Sequence, residues 1–236
     1  MAEEFFHMNG QGFLGLPVAE TAQTWLRRAA DILLAGAALF LLAPLMLLIT
    51  IAIWLESGQP TLFCQTRLGQ GGRRFRMYKF RKFHADAGQA GCPLTLEQDP
   101  RMTQVGRLLM KTKLDELPQF WNVIKGDMAI VGPRPESLAF ADCFHNGWEE
   151  LLRYKPGLVG PCQIIFRNEA AAFPKGADVN EFYRTVVFPL KARIDLDYFR
   201  SRSLASDVVI MIRSFLAICG WASVASAGLR QVERRA

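Results

Sequence analysis

The sequence predicts an α+β fold, mainly helical. It would consist of an N-terminal membrane helix hairpin that re-enters, a small cytoplasmic domain, and amphipathic helices lying on the membrane surface. Three observations predict this. Ile32–Leu55 contains no charged residue, and half of the chain is hydrophobic, which is high for a fully soluble protein. Basic residues flank that run on both sides: Arg27 and Arg28 before it; Arg67, Arg73, Arg74, Arg76, Lys79, Arg81 and Lys82 after it. Beyond the run, short β-prone pieces bounded by glycine and proline alternate with segments of helical pattern.

Residues 1–22 read as a weakly patterned tail. Gly10–Gly15 matches the dinucleotide template G-x-G-x-x-G, but no strand precedes it and no helix opens from it, so the match is accidental. Residues 23–58 form the membrane segment. At ~1.5 Å per residue the apolar run is long enough to cross a hydrocarbon core of ~30 Å. A cleaved signal peptide does not fit, because the run is too long and no small-residue cleavage site follows. A simple span and a re-entrant hairpin remain. Cationic flanks prefer the cytoplasmic face, and a single span cannot put both ends there. Pro44, mid-run, would cost about 3 kcal/mol inside a regular helix, so a break at Ala43–Pro44 is expected and re-entry is favoured.

Residues 59–225 form the cytoplasmic domain, and 226–236 a C-terminal tail. Thr61–Phe83 reads as a β-hairpin around Gly69, Gly71 and Gly72. Its second half sets arginines and lysines between aromatics. That pattern suits acidic lipid headgroups, and Lys79 or Arg81 could also bind phosphate. A polar connection, Ala85–Pro100, leads to a helix over Val105–Lys113, which Asp99–Pro100–Arg101 is expected to open. The segment Lys111–Glu136 then places Asp115–Glu116 directly after Lys111 and Lys113. With Asp115 as N-cap, Pro118 falls in the first helical turn, where its missing N–H costs little. A helix N-terminus also favours phosphate. Simple capping is the competing reading of such an aspartate. It explains neither the two lysines nor the Pro133–Arg134–Pro135 turn that follows a Gly126–Asp127 turn and a short β segment.

Further on, Glu136–Tyr154 reads as helical, with Phe144 and Trp148 as packing or interface aromatics. Tyr154–Arg167 reads as a loop entering a β-like run. Asn180–Arg200 and Ser203–Ile218 read as helices, the last a core or membrane-surface helix because Asp207 and Arg213 interrupt it.

The net charge of +6 suits an anionic partner. No nucleic-acid-binding motif is present, so nucleic acid is not the expected one. Five scattered cysteines without a C-x-x-C pair point to reduced thiols in a cytosolic compartment, and three dispersed histidines argue against zinc. There is no P-loop, G-x-S-x-G or H-E-x-x-H motif.

In order, the apolar hairpin, RLGQGGRRFRMYKFR, DPRMTQVGRLL, LDELPQFWNVIKGDMAIVGPRPE, KPGLVGPCQ and the set Lys191, Asp195, Tyr198, Ser203 and Asp207 resemble the bacterial sugar transferases. More specifically, they resemble the monotopic polyprenyl-phosphate phosphoglycosyl transferases, over roughly Gln23 to Phe215. The resemblance implies that 59–225 is catalytic. Such enzymes transfer a sugar 1-phosphate from a UDP-sugar to polyprenyl (undecaprenyl) phosphate and release UMP. They act at the cytoplasmic face of the bacterial inner membrane, among its lipids, as the first membrane step of glycan or exopolysaccharide assembly. It implies Asp115 as nucleophile, Glu116 as its partner, Mg²⁺ as cofactor and Asp115 and Glu116 as its ligands, and leaves a homodimer open.

Adjacent helical residues diverge by ~100°, so the two acids should have different jobs. A carboxylate nucleophile splits transfer between two anions into two steps, with cations offsetting the diphosphate charge. Arg134 carries a planar fork suited to phosphate or a nucleotide, with a turn-stabilising surface arginine as the alternative. Lys111, Lys113 and Arg167 are further phosphate candidates.

The chain departs from the family pattern at Lys82–Phe83, where Ser-Met is usual. It also departs at Met110 and Lys113, near the acid pair, and at Ile164–Ile165–Phe166, where relatives carry small polar residues. Lys113 could supply the charge missing at Met110. A non-catalytic membrane scaffold is the rival function, and the intact acid pair argues against it.

Overall fold

The computed structural model describes residues 22–85, 99–167, 169, 173 and 178–218. The tails, the match at Gly10–Gly15, Cys92, Cys219 and most of the 85–100 connection lie outside the described residues.

Helix α1, Ala22–Ser57, continues through Pro44 as one helical element. No non-helical residue interrupts it at Ala43–Pro44, where a break is expected. Proline removes one backbone hydrogen bond, and the apolar turns on both sides carry the helix across that loss. Both ends of α1 dock on the same domain. Near the start, the Arg27 Nε donates to Asp207 at 2.8 Å and the Ile130 N–H donates to Asp31 at 3.0 Å. The Arg28 guanidinium donates to the carbonyls of Val123 and Ile124. Near the end, Ile49 and Ile53 pack with Phe80 and Leu109, and Glu56 accepts the N–H groups of Gln104 and Val105. Between these anchors Phe40, Leu41, Leu47 and Leu48 are exposed, forming an apolar surface that no other described residue covers. Among the described residues, this helix is the one long and apolar enough to cross a membrane.

The expected hairpin is present: β1 (Leu62–Leu68) pairs antiparallel with β2 (Arg74–Phe80), Phe63 opposite Lys79. Gly71 turns the chain with φ 67°, a conformation that glycine adopts without steric cost. Phe75 and Met77 of β2 are buried on one face of the strand, and Phe80, on the other, packs against Ile49, Ile53 and Leu109. Helix α2 (Gln104–Thr112) is capped by the Thr103 side chain, not opened at Asp99–Pro100–Arg101. Its Gly106 lies against the Lys82 carbonyl so closely that a Cβ would sit 2.0 Å from that oxygen.

After the acid pair come α3 (Gln119–Lys125), a left-handed Gly126, and β3 (Ala129–Val131), which pairs in parallel with β4 (Gly157–Val159). Asn122 of α3 is fully buried and fastens the helix to β2: its Oδ1 accepts the Tyr78 N–H and its Nδ2 donates to the Arg76 carbonyl. Two 3-10 turns, Leu138–Cys143 and Trp148–Arg153, replace the single helix expected over Glu136–Tyr154. The sequence there breaks at Asn146–Gly147, where both residues take positive φ. The apolar run after Gly160 is also not a strand. Pro161, at a first helical position, opens α4 (Pro161–Ile165).

Helix α5 (Val179–Phe182) passes through a π-helical turn, Tyr183–Val187, into α6 (Phe188–Phe199), and α7 spans Leu204–Ile218. Helix α7 buries Asp207, Ile210, Ser214 and Ala217 and exposes Val208, Val209, Ile212 and Phe215. It is the amphipathic helix that the pattern predicts. The larger core packs Phe140, Tyr183, Phe188 and Cys162. A second core joins Ala35 of α1 to Met77, Val123, Met128 and Phe199.

Candidate active site

Helix α2 ends because Lys113 adopts a left-handed conformation, φ 61°. The next residues, Leu114–Glu116, form a 3-10 turn, and Pro118 takes the position before α3 without a capping hydrogen bond from its side chain. Asp115 is therefore not the N-cap expected from the sequence. The turn carries Asp115 inward, only 3% exposed, while Glu116 lies towards β2 and the Pro133–Arg134–Pro135 turn.

The two acids have different environments. Glu116 Oε1 accepts from the Lys79 Nζ at 2.7 Å, and Arg134 Nη2 stands at 3.7 Å. Burial opposes its ionisation, but Lys79, Arg134 and Lys113 overcome that opposition and hold the carboxyl well below its usual range. Asp115 is pushed the other way. Burial is the main cause, and the neighbouring Glu116 charge adds to it against the pull of Lys79, Lys82 and Lys113. Its Oδ1 is buried and has no hydrogen-bond partner among the described residues. One carboxylate is thus held by cations as a fixed charge, and the other keeps an oxygen free.

Of the basic residues singled out in the sequence, Lys79, Lys113 and Arg134 gather around the pair. Burial pulls the Lys113 ammonium down. Glu116, Glu169 and Glu136 outweigh burial to push Arg134 up. Arg134 is no free surface residue: Pro133 and Pro135 beside it are buried, and its turn is held by Gly157 N–H to the Pro133 carbonyl and Leu68 N–H to the Glu136 carbonyl. Beneath it, Glu136 accepts from the Tyr183 hydroxyl at 2.8 Å and pairs with Lys191 at 3.3 Å in a buried network.

Three other candidates are placed differently. Arg81 is 6% exposed, and its Nη2 donates to Ser57 and Gly58 at the carboxyl end of α1. The Lys111 side chain is exposed. Arg167 donates to the carbonyls of Lys111 and Ile218, tying the end of α2 to the end of α7.

Sequence reasoning missed Lys82, whose ammonium burial pulls down to about 8 within electrostatic reach of Asp115. It also missed Gln119, Gln163 and Arg67. Together with Lys79, Glu116 and Arg134 these three line a small cavity beside the acid pair. Only Gln119, in LDELPQ, lies near the acids in sequence.

For magnesium, the oxygen donors are suitable. Mg²⁺ is commonly held by one or two carboxylates completed by water and substrate phosphates. The free Asp115 Oδ1 and the carboxylate of Glu116, whose Oε1 is shared with Lys79, would be the donors, and no group of three or more acidic, histidine or cysteine ligands occurs among the described residues.

The sequence profile of the bacterial sugar transferase family matches residues 22–220, which include every element described above. The chain is 35% identical over 87% of its length to an Aeromonas hydrophila protein, UDP-N-acetylgalactosamine-undecaprenyl-phosphate N-acetylgalactosaminephosphotransferase, covering 46% of that protein. It is 36% identical over 85% of its length to the UDP-glucose:undecaprenyl-phosphate glucose-1-phosphate transferase of Caulobacter vibrioides, covering 72% of it. With the exopolysaccharide production protein ExoY of Rhizobium meliloti it shares 32% identity over 82% of its length, covering 85% of that protein. The chain thus spans about half of the Aeromonas protein and most of the other two. The chain therefore belongs to the bacterial sugar transferase family.

Proposed function

We propose that the chain is a phosphoglycosyl transferase that moves a sugar 1-phosphate from a UDP-sugar to polyprenyl phosphate through a covalent intermediate on Asp115. The observation that carries this reading is the contrast within the acid pair: Asp115 has a free buried Oδ1, whereas Glu116 is held by Lys79 and Arg134. The relatives named above for sugar-phosphate transfer to undecaprenyl phosphate support the reaction class.

In the first step an Asp115 oxygen attacks the sugar-linked phosphorus. The bond to the bridging oxygen breaks, and UMP leaves with that electron pair. In the second step a phosphate oxygen of the lipid attacks the same phosphorus. The acyl phosphate bond breaks, Asp115 regains its carboxylate, and a polyprenyl diphospho-sugar is formed. Neither step needs both anionic substrates at once. Lys79 and Arg134 keep Glu116 ionised and present positive charge to the diphosphate. Lys113 and Lys82 supply further charge beside Asp115. Magnesium, held by Asp115 and Glu116, would stabilise the charge on the phosphate oxygens.

The docking of both ends of α1 on one domain supports a helix that enters and leaves the membrane on the cytoplasmic face of the inner membrane, with α7 resting on the lipid surface. Cysteines introduced near residues 25 and 60 should then be labelled from the same side, and labelling from opposite sides would establish a span.

The activity is tested with detergent-purified protein, Mg²⁺, polyprenyl phosphate and UDP-glucose, UDP-galactose or UDP-N-acetylgalactosamine, reading UMP. Turnover with at least one donor, lost in Asp115→Asn, is the expected result. No turnover with any donor, or full activity in Asp115→Asn, refutes the assignment.

A further inference from the structure

The cavity beside the acid pair has a volume of about 10 Å³, enough for a single water-sized group. Each of three residues that line it has a buried polar atom with no hydrogen-bond partner among the described residues: Gln119 Nε2, Arg67 Nε and Gln163 Oε1. Gln119 is only 3% exposed. The orientation of Gln163 is fixed by chemistry. Its Nε2 donates to the carbonyls of Gly157 and Leu158, both at 3.2 Å, and these groups can only accept. Its Oε1 must therefore be the free acceptor. Gly160 makes room for that oxygen, since a Cβ there would lie 2.7 Å from it. Arg67 is held by its other nitrogens, Nη1 to the Pro135 carbonyl and Nη2 to Gln65.

The free set is two donors and one acceptor around a water-sized space. A hydroxyl group complements it fully, accepting from Gln119 and Arg67 and donating to Gln163. A phosphate oxygen would leave the Gln163 oxygen unpaired, and an apolar group would leave all three unpaired. The cavity also borders Lys79 and Arg134, the two cations on Glu116, so a hydroxyl held there belongs to a molecule whose diphosphate lies against those cations.

We infer that Gln119, Gln163 and Arg67 form a hydroxyl-reading subsite for the donor substrate, adjacent to the acid pair. The inference rests on the proposed transferase reaction and deepens it. A sugar nucleotide offers such a hydroxyl from two sources, the transferred sugar and the ribose.

The test compares kcat/KM of the wild-type protein for the best of the three UDP-sugars with that for its deoxy forms. One series lacks single sugar hydroxyls, and the other lacks the ribose 2′ or 3′ hydroxyl. One deoxy donor should fall by about 10- to 100-fold, because buried polar groups then lose their partner, and its identity names the source. In Gln119→Met that discrimination should collapse towards one, a change that loosened packing alone would not make. Gln119→Glu, which also removes the N–H donor, serves if the methionine variant does not fold. Equal use of every deoxy donor by wild type, or undiminished discrimination in the variants, overturns the subsite while leaving the transferase reading intact. Failure of wild type with every complete donor would instead remove the parent reading, and the subsite with it.

Discussion

Breaking the Lys79–Glu116 pair is the most informative perturbation of the site's electrostatics. The side chains are 13% and 17% exposed and 2.7 Å apart. Breaking a fully buried pair by removing one partner costs about 3–5 kcal/mol, and exposed pairs contribute about 0–1 kcal/mol. A largely buried pair with a second cation, Arg134, at 3.7 Å falls between these limits. Lys79→Met should therefore destabilise the protein by about 2–3 kcal/mol at pH 7. Combined with Glu116→Gln in a double-mutant cycle, the coupling should be about 1–3 kcal/mol.

The pH dependence has a definite sign. The folded Glu116 carboxyl is held below its ordinary value of 4.5, so its contribution is full above that pH. It is lost as pH falls towards the folded value, by about 1.4 kcal/mol per unit. Denaturant unfolding in detergent at pH 7 and pH 3.5 measures both quantities. Single variants that simply add, or a wild-type advantage identical at the two pH values, would refute the view that Glu116 is a clamped anion.

Three further outcomes follow from particular contacts. Gly157→Ala places a Cβ 2.0 Å from the Gly132 backbone nitrogen, so it should disrupt the β3–β4 pairing beneath Arg134 and lower both the melting temperature and turnover. Burial raises the Asp195 carboxyl to about 6, so the contribution of Asp195 to stability falls as pH rises from about 4 to about 6. Asp195→Asn, which keeps an acceptor for the Cys162 N–H, should melt higher than wild type at pH 7.5 and lose that advantage at pH 4. Asp207→Ala leaves the Arg27 and Arg202 guanidiniums and the Tyr198 hydroxyl without their shared carboxylate, so trypsin should cut at Arg27–Arg28 much faster than in wild type.

Much of this architecture can be read from local sequence. Glycines at 69, 71 and 72 between β-prone runs dictate the hairpin, and the charge-free run dictates α1. What is not legible depends on tertiary context. Lys113 ends α2 in a left-handed conformation normally reserved for glycine or asparagine, and this moves Asp115 off the helix cap and into a buried turn. Ile164–Phe166 has strand composition but follows Gly160–Pro161, which starts a helix. Within the site, the acid pair and Arg134 stand out because charge clusters near proline and glycine. Arg67 and Gln163 give no such signal. They lie far apart in the chain and converge only because β1 and α4 pack on either side of the Pro133–Pro135 turn.

The central claim is that the free oxygen of Asp115 becomes bonded to the sugar phosphate. The most direct measurement is intact-protein and peptide mass spectrometry after the protein is mixed with its UDP-sugar and Mg²⁺ in the absence of polyprenyl phosphate. One sugar phosphate added per chain is predicted, located on the peptide containing Asp115, released by polyprenyl phosphate and absent in Asp115→Asn. A protein that turns over fully without any such adduct, or that carries it on Glu116, would contradict the account.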